Sequence, residues 1–277
     1  MRNLSGKLGA GIMLVLVLAG CRAVGVQNAA PSATTAEPER IASPFPTLTP
    51  AAADNPQPPP AGEDARLLML YSHARWQSLW VDMLVTNYQG DAAQTVNDQT
   101  RYQFWLQQPA AARLVSGPAD GAPQRLWVSD GLAQQENGGG IETSSPATIG
   151  DFAPPFAVDS ITPHPYAGRM GAPAADFIFA TGLGQRSGEY RLVGRENWAG
   201  REALVVEYYR YPDDPVLERL WVDAETGVIL RYISFGKPGG GPPSVEVQVQ
   251  QIQVNPPIDP ALFEFGQPTP AAFAAAP

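Results

Sequence analysis

From Asp64 onward, the sequence consists mostly of short segments in which apolar residues recur at every second position. The first such segment places Leu79, Val81, Met83 and Val85 on one side of an extended chain. A period of two is typical of β-strands, because successive side chains point to opposite faces. Residues favouring tight turns, chiefly Gly, Pro, Asp and Asn, separate the segments. The pattern therefore predicts a series of antiparallel strands.

After the strand that starts at Leu79, the alternation predicts further strands. They are Thr100–Gln107, Ala112–Ser116, Gln124–Ser129, Leu132–Glu136, Glu189–Glu196, Glu202–Arg210, Glu218–Asp223, Val228–Phe235 and Ser244–Val254. Asp130-Gly131 is a strong hairpin signal, and Gly227 suits a turn that needs a positive φ. In residues 137–187 the apolar positions follow no sustained period, although Phe177-Ile178-Phe179 suits a short helix or a lid. A long stretch of this kind is usually functional or disordered.

One helix is predicted ahead of the strands, with Asp64 as its cap and Arg66–Gln77 as its body. Ile258–Phe265 is predicted to close the domain as a short turn or 3₁₀ element. One helix followed by nine to eleven strands favours a mainly β fold. We expect a single curved antiparallel sheet, or an unclosed β-barrel, with helical structure covering its concave face.

The N-terminus has the features of an export signal. Arg2 and Lys7 precede an uncharged, mostly apolar run of 12 residues that ends at Ala19. That run is too short to cross a bilayer, which takes roughly 20 apolar residues. Its end, Leu18-Ala19-Gly20-Cys21, resembles the lipobox of bacterial lipoproteins, in which the cysteine thiol carries a diacylglyceryl group with acyl chains such as palmitate. An ordinary secreted protein with a chance cysteine is the alternative.

Composition divides the chain into four regions: a signal peptide at 1–20, an anchor and linker at 21–63, a β domain at 64–268 and a disordered tail at 269–277. Residues 22–63 contain 9 prolines in 42 positions, which favours a disordered spacer. From Asp64 onward, 23 acidic residues exceed 14 Lys and Arg, a net charge of −9. Such an acidic domain argues against nucleic-acid binding. The predicted location is extracytoplasmic, on the outer leaflet of the cell membrane or on an outer membrane.

Three stretches carry a resemblance to a known family. They are V-S-D-G at Val128–Gly131, A-G-R-E-A-L-V-V-E at Ala199–Glu207, and R-L-W-V-D-A-E-T-G at Arg219–Gly227, the last followed by V-I-L-R-Y and by Val254–Phe265. Together they resemble the LolA/LolB-like superfamily, which includes the MucB/RseB-type periplasmic regulators. The resemblance implies an unclosed β-barrel whose apolar concave side is closed by helices. Some members bind acyl chains of lipoproteins there, and others bind a protein partner or sense lipid.

An open sheet that cannot fill itself with side chains leaves an apolar cavity, the usual kind of ligand site. The candidate lining residues are Met83, Tyr102, Phe104, Leu106, Leu126, Val128, Leu204, Val206, Leu220, Val222 and Leu230. The alternative is that they are plain core contacts between sheet and helix. A shift of one residue in strand phase would move any of them to the other face.

Signs of catalysis are sparse. The sequence has two histidines, His73 and His164, and lacks the common hydrolase, metalloprotease and nucleotide-binding motifs. His73 is expected on the surface or in packing, and Asp82 is either a buried acid or a solvent-facing residue. Trp105, Trp127 and Trp221 suit either sugar stacking or an amphipathic strand surface. We therefore expect no catalytic residue, metal or cofactor.

The leading hypothesis is a membrane-anchored lipoprotein that binds a lipid or a lipoprotein acyl chain in its concave cavity, as carrier or sensor. An alternative is a MucB/RseB-like regulatory module that contacts a membrane anti-sigma factor. An enzyme acting on cell-wall glycan is a third, which predicts two close carboxylates in a cleft. The expected partners are the membrane, through the N-terminal lipid, and either an acyl chain or a membrane protein.

Overall fold

A computed structural model describes residues 61–89, 95–108, 111–143, 170, 173–237 and 241–277, all within the unit Ala42–Pro277. The predicted signal peptide, Cys21, nearly all of the linker and His164 lie outside the described residues. So does most of the segment 137–187. Among the described residues, no helix combines the length and the apolar character that a membrane span requires.

The described residues form eleven strands, three short α-helices and two 3₁₀ turns. The strands are β1 Ser78–Gln89, β2 Thr95–Gln107, β3 Ala111–Pro118, β4 Arg125–Ser129, β5 Ala133–Glu136, β6 Glu142–Thr143, β7 Glu189–Trp198, β8 Arg201–Tyr209, β9 Glu218–Asp223, β10 Ile229–Phe235 and β11 Pro243–Val254. The helices are α1 Ala61–Leu70, α2 Ala175–Ile178 and α3 Thr181–Gly184, and the 3₁₀ turns are η1 Ser72–Ala74 and η2 Pro260–Phe263.

All eleven strands belong to one antiparallel sheet in the order β6-β5-β4-β3-β2-β1-β11-β10-β9-β8-β7. The first and last parts of the chain meet at its centre, where Leu79 of β1 pairs with Val254 of β11. The edge strands β6 and β7 do not pair with each other, so the sheet does not close into a barrel. The predicted fold class, an open antiparallel sheet with helices against one face, is confirmed.

The predicted helix is displaced in the structure. It was expected over Arg66–Gln77 with Asp64 as its cap, but α1 spans Ala61–Leu70 and contains Asp64. Three prolines, Pro58–Pro60, immediately precede this helix in the sequence. Proline suits the beginning of a helix and not its interior. After Leu70 the chain turns through η1, and Ser78 already begins β1.

Two predicted turns have the expected side-chain chemistry. Asp130 Oδ1 accepts hydrogen bonds of 2.8 Å from the backbone N–H groups of Leu132 and Ala133. In the turn between β9 and β10, Asp223 Oδ1 accepts from the N–H of Thr226 at 2.7 Å. Gly227 has φ +74° there, and a Cβ atom on it would lie 2.0 Å from the Leu68 carbonyl oxygen. The turn thus packs directly on α1 because its glycine has no side chain.

The buried apolar residues form two clusters. The larger cluster joins α1, α2 and the sheet, with Met69, Ile178 and Val206 among its fully buried members. We call the sheet surface that packs against the helices the helix face. The smaller cluster includes Trp80, Trp105 and Phe263. It packs against the C-terminal residues 256–277, which we call the C-terminal arm, and we call this sheet surface the arm face.

The C-terminal arm includes residues 269–277, which were predicted to be a disordered tail. In the structure, the N–H of Ala274 donates to Gln103 Oε1 at 2.9 Å, and Gln103 Nε2 donates to the Ala274 carbonyl at 2.8 Å. Phe273 packs against the smaller cluster. The prolines and alanines gave no periodic signal, and residues 269–277 are held by the aromatic ring of Phe273 and by side-chain amides of the sheet.

Candidate functional site

The helix face gathers most of the residues predicted to line a cavity. Eight of them are members of the larger apolar cluster, and each is at most 5% exposed. Tyr102 is half-buried and packs against the same cluster, with its ring stacked 6.3 Å from that of Phe104. The eight are Met83, Phe104, Leu106, Leu204, Val206, Leu220, Val222 and Leu230.

Leu126 and Val128 do not belong to this group. Both lie on the arm face, in the smaller cluster, while Trp127 between them joins the helix face. The prediction was wrong because Leu126, Trp127 and Val128 are all apolar, and the polar residues at the two ends of β4, Arg125 and Ser129, share the phase of Trp127 and so suggested the opposite assignment. The pairing of Trp127 with Leu114 of β3 decides which residues of β4 point to the helix face.

Helical residues cover the apolar surface of the helix face. Phe177 of α2 lies against Tyr232 of β10, with ring centroids 4.8 Å apart. Phe179, which follows α2, packs 5.9 Å from the ring of Trp76. Burial raises the pKa of Tyr232, which keeps its phenol neutral. The region between sheet and helices is therefore mostly apolar, and the side chains of α2 and its neighbours fill it.

A few hydrogen bonds hold this cover in place. Ser72 Oγ donates to the Ile178 carbonyl at 3.3 Å and accepts from the N–H of Ala180 at 3.2 Å. Thr181 Oγ1 donates to the Leu70 carbonyl at 3.2 Å, and Arg66 Nε donates to the Gly184 carbonyl at 2.9 Å. These hydrogen bonds connect α1 and η1 to α2 and α3, and apolar packing supplies the remaining contacts between these elements.

His73 belongs to the same junction. It is 2% exposed, and its Nδ1 lies 3.3 Å from Thr181 Oγ1. Burial lowers the pKa of His73 to about 4, because the imidazolium would lose its hydration. The ring is therefore neutral near pH 7, and its environment agrees with the packing role that was one of its two predicted roles.

Asp82 is buried but does not face the candidate cavity. It is 3% exposed and lies on the arm face, where Arg101 Nε donates to its Oδ1 at 2.9 Å. Gln103 Nε2 donates to its Oδ2, also at 2.9 Å. The carboxylate is thus compensated by a guanidinium and an amide. Of the two predicted alternatives, the structure agrees with a buried acid and not with a side chain in solvent.

The three tryptophans considered for sugar stacking are buried. Trp105, Trp127 and Trp221 are 6%, 2% and 3% exposed. Trp221 also donates from Nε1 to Glu196 Oε2 at 2.7 Å, and Arg231 lies over its ring. None of the three rings offers an open face to a sugar in this structure. Among the described residues, no cluster of three or more His, Cys, Asp or Glu side chains suits a metal ion.

Several aromatic residues of the site were not predicted. Tyr190 and Tyr208, with ring centroids 5.2 Å apart, and Tyr232 all belong to the cluster of the helix face. The sequence signal that could have identified them is their position beside charged residues in β7, β8 and β10. Phe177 was predicted only as part of Phe177-Ile178-Phe179, a short helix or a lid, and a four-residue helix does include Phe177 and Ile178.

No family model matches the chain, and no curated protein matches its sequence. Solved structures do. A MucA/MucB complex of Pseudomonas aeruginosa aligns at 17% identity and a TM-score of 0.43, over 74% of this chain and 61% of that one. LprF of Mycobacterium bovis aligns at 11% identity and a TM-score of 0.37, over 75% of this chain and 98% of that one. A LolA superfamily protein of Nitrosomonas europaea aligns at 12% identity and a TM-score of 0.24, over 73% of this chain and 97% of that one.

This chain spans less than two thirds of the MucB chains, between 61% and 65% of their length. Identities this low describe a distant similarity, and a shared fold hosts many functions. The comparisons therefore assign no activity, substrate or partner to this chain.

Proposed function

We propose that this protein binds a lipid or a lipoprotein acyl chain against the helix face, as a carrier or a sensor. One observation carries the proposal: the apolar helix face is closed by the short helix α2, with Phe177 lying on Tyr232 at 4.8 Å. An acyl chain that replaced Phe177 and Ile178 would meet the same apolar and aromatic side chains. The helix face thus offers a binding surface once this cover moves.

The energetics suit transfer rather than permanent capture. Burying one CH₂ group from water contributes about 0.8 kcal/mol, so about ten methylenes would contribute roughly 8 kcal/mol. An acyl chain that comes from a bilayer is already buried and gains little by moving. Displacing α2 also costs the contacts that it makes. Exchange between membrane and protein is therefore near balance, as a carrier or a sensor requires.

Membrane attachment through Cys21 belongs to the same proposal. Cys21 is the only cysteine of the chain and ends the apolar run of the predicted signal peptide. Two acyl chains on one thioether-linked glycerol would supply the stable anchoring that a single chain does not. The β domain would then work on the extracytoplasmic side, within reach of the bilayer.

Two truncations separate a helix-face ligand from non-specific binding. Phe177 and Phe263 are 9% and 7% exposed, but they lie on opposite faces of the sheet. Phe177→Ala opens space beside Tyr232, so we expect about tenfold tighter binding of a fluorescent fatty acid to the full-length protein. Phe263→Ala should leave this affinity unchanged. Native mass spectrometry of the purified protein should also detect bound lipid.

The proposal fails if the protein and both variants bind no fatty acid, or if both truncations change the affinity equally. Equal changes would indicate general loosening of the fold. Far-UV circular dichroism and urea unfolding of each variant check that the sheet is intact.

A regulatory protein-interaction module is the second candidate, and the edge strand β7 favours it. Among the described strands, β7 pairs with β8 alone, and Val193 in its middle is 51% exposed. Peptides often bind by adding a strand to such an edge. In this second candidate function, the partner is a membrane anti-sigma factor. Capture of a membrane protein from a detergent extract, without co-purifying lipid, would favour it over the carrier.

A further inference from the structure

A cleft of about 580 Å³ lies away from the helix face. It is bounded by the end of β2, the turn after β4 and the 3₁₀ turn η2. The residues that matter here are Gln108, Asp130, Pro260, Phe263, Glu264 and Phe265. Its volume falls within the range of small-molecule sites, about 300–1,000 Å³.

The walls of the cleft combine aromatic rings with carboxylates. Phe265 is half-buried and Phe263 is 7% exposed, while Asp130 and Glu264 are exposed. Among the described residues, no lysine or arginine lines the cleft. Within the described part of the chain, neither Asp130 nor Glu264 forms an ion pair with a basic side chain. Two uncompensated carboxylates beside aromatic rings create a negative potential that favours a cation.

Gln108 also lines the cleft, with its side-chain acceptor buried beneath the surface. Its Nε2 donates to the His73 carbonyl at 2.9 Å, which fixes the orientation of the amide, since a carbonyl only accepts. The Oε1 atom is buried, and no described residue donates a hydrogen bond to it. A buried acceptor without a donor is costly. If the side chain shifts towards the cleft, a ligand that brings N–H groups would satisfy it, whereas a carboxylate or a phosphate would not.

We propose that this cleft binds an organic cation, a protonated amine or guanidinium carried on an apolar body. Asp130 and Glu264 supply the counter-charges, Phe263 and Phe265 contact the apolar body and the cation, and Gln108 accepts an N–H. Asp130 Oδ1 already accepts two backbone N–H groups of its turn, so Glu264 is the more available of the two carboxylates. The net charge of −9 on the chain adds a general attraction for cations.

The test compares three probes of similar shape by isothermal titration calorimetry on the full-length protein. Phenethylammonium should bind about tenfold more tightly than phenethyl alcohol, and phenylacetate should not bind measurably. Added salt should weaken the binding of the ammonium probe and leave that of the alcohol unchanged. Equal affinity for the ammonium and the alcohol would overturn the proposal.

Variants locate the binding. Glu264→Gln and Phe265→Leu should each weaken phenethylammonium binding about threefold to fivefold, the scale of an exposed ion pair or cation–π contact. Asp213→Asn removes the same charge in the turn between β8 and β9 and should change nothing. Equal effects of Glu264→Gln and Asp213→Asn would reduce the proposal to bulk electrostatics and overturn it.

The source of the cation is resolved by one further titration. Tighter binding of acetyl-Leu-Lys-Leu-amide than of phenethylammonium would assign the cation to a protein side chain, and the reverse order to a free amine. Acetyl-Leu-norleucine-Leu-amide is the neutral control, and equal binding of the two peptides would count against the proposal. Failure here leaves the helix-face proposal untouched, because the cleft shares no residue with the candidate lipid site.

Discussion

The ring of Phe273 lies over the guanidinium of Arg101, with 4.7 Å between Cζ and the ring centroid. Arg101 in turn binds both oxygens of Asp82, which is 3% exposed. The C-terminal arm therefore covers an ion pair in the middle of the arm face, and Ala274 bonds to Gln103 beside it. Asp82 is buried because the far end of the chain returns to this face.

Loss of the Asp82 carboxylate should be costly. Asp82→Ala leaves Arg101 and Gln103 without their shared acceptor, and we expect it to lower the free energy of unfolding by about 3 kcal/mol. Glu202→Ala is the matched control, because the Arg195–Glu202 pair has side chains 62% and 57% exposed. That variant should change stability by at most about 0.5 kcal/mol. Urea unfolding measures both, and similar losses would show that Asp82 is not effectively buried.

His73 should make stability depend on pH. Its pKa falls from 6.5 to about 4 on folding, so between these values the unfolded chain binds more protons than the folded one. The stability from neutral His73 is therefore present above pH 6.5 and declines, by about 3 kcal/mol in total, as the pH falls to about 4.

Replacing the histidine isolates this contribution. In His73→Gln, the difference in unfolding free energy between pH 7 and pH 4 should shrink by about that amount, while the carboxylates contribute equally in both proteins. Urea titrations at a series of pH values measure it. An unchanged pH profile in the variant would mean that His73 titrates normally in the folded protein.

Two glycines with nearly the same φ should respond differently to alanine. Gly227 has φ +74° and sits against the Leu68 carbonyl, whereas Gly200 has φ +77° with no atom within 4 Å of an added Cβ. Gly200→Ala should cost about 1 kcal/mol, from backbone strain alone. Gly227→Ala should cost at least about 3 kcal/mol, since α1 must also move. Equal costs in thermal unfolding would show that the turn and α1 are not in contact.

Replacement of the single cysteine tests the anchor. Cys21→Ser removes the only thiol of the chain, so a protein expressed in bacteria should lose incorporation of radiolabelled palmitate and leave the membrane fraction. Ser5→Ala, within the same predicted signal peptide, should retain both properties. Membrane association that persists in Cys21→Ser without palmitate would contradict lipidation as the means of attachment.

Much of the sheet was predictable, because period-two alternation and turn residues act over a few neighbouring positions. Asp130-Gly131 and Gly227 marked real turns for this reason. The helix was misplaced because its ends depend on what precedes and follows it. Leu126 and Val128 were assigned to the wrong face, since three consecutive apolar residues fit either phase and only pairing with β3 distinguishes the two.

The candidate site likewise contains some residues that the sequence predicted and others that it did not. Eight cavity candidates on β1, β2, β8, β9 and β10 converge on the helix face, as alternation predicts for strands with one shared apolar side. Phe177 was predicted to belong to a short helix or a lid, but its contact with the sheet was not identifiable, because a four-residue helix has too few positions to display a period. The cleft beside Glu264 was equally hidden, since its walls come from three distant parts of the chain.

The sequence by itself determined the class of fold and the apolar side of most strands, because both depend on local spacing of side chains. Tertiary structure alone decided which strands are neighbours, what covers each face and where the C-terminal arm lies. These depend on contacts between residues more than a hundred positions apart, such as Asp82 beneath Phe273 and Ser72 against Ile178. Such contacts form only when the whole sheet is assembled, and no local pattern encodes them.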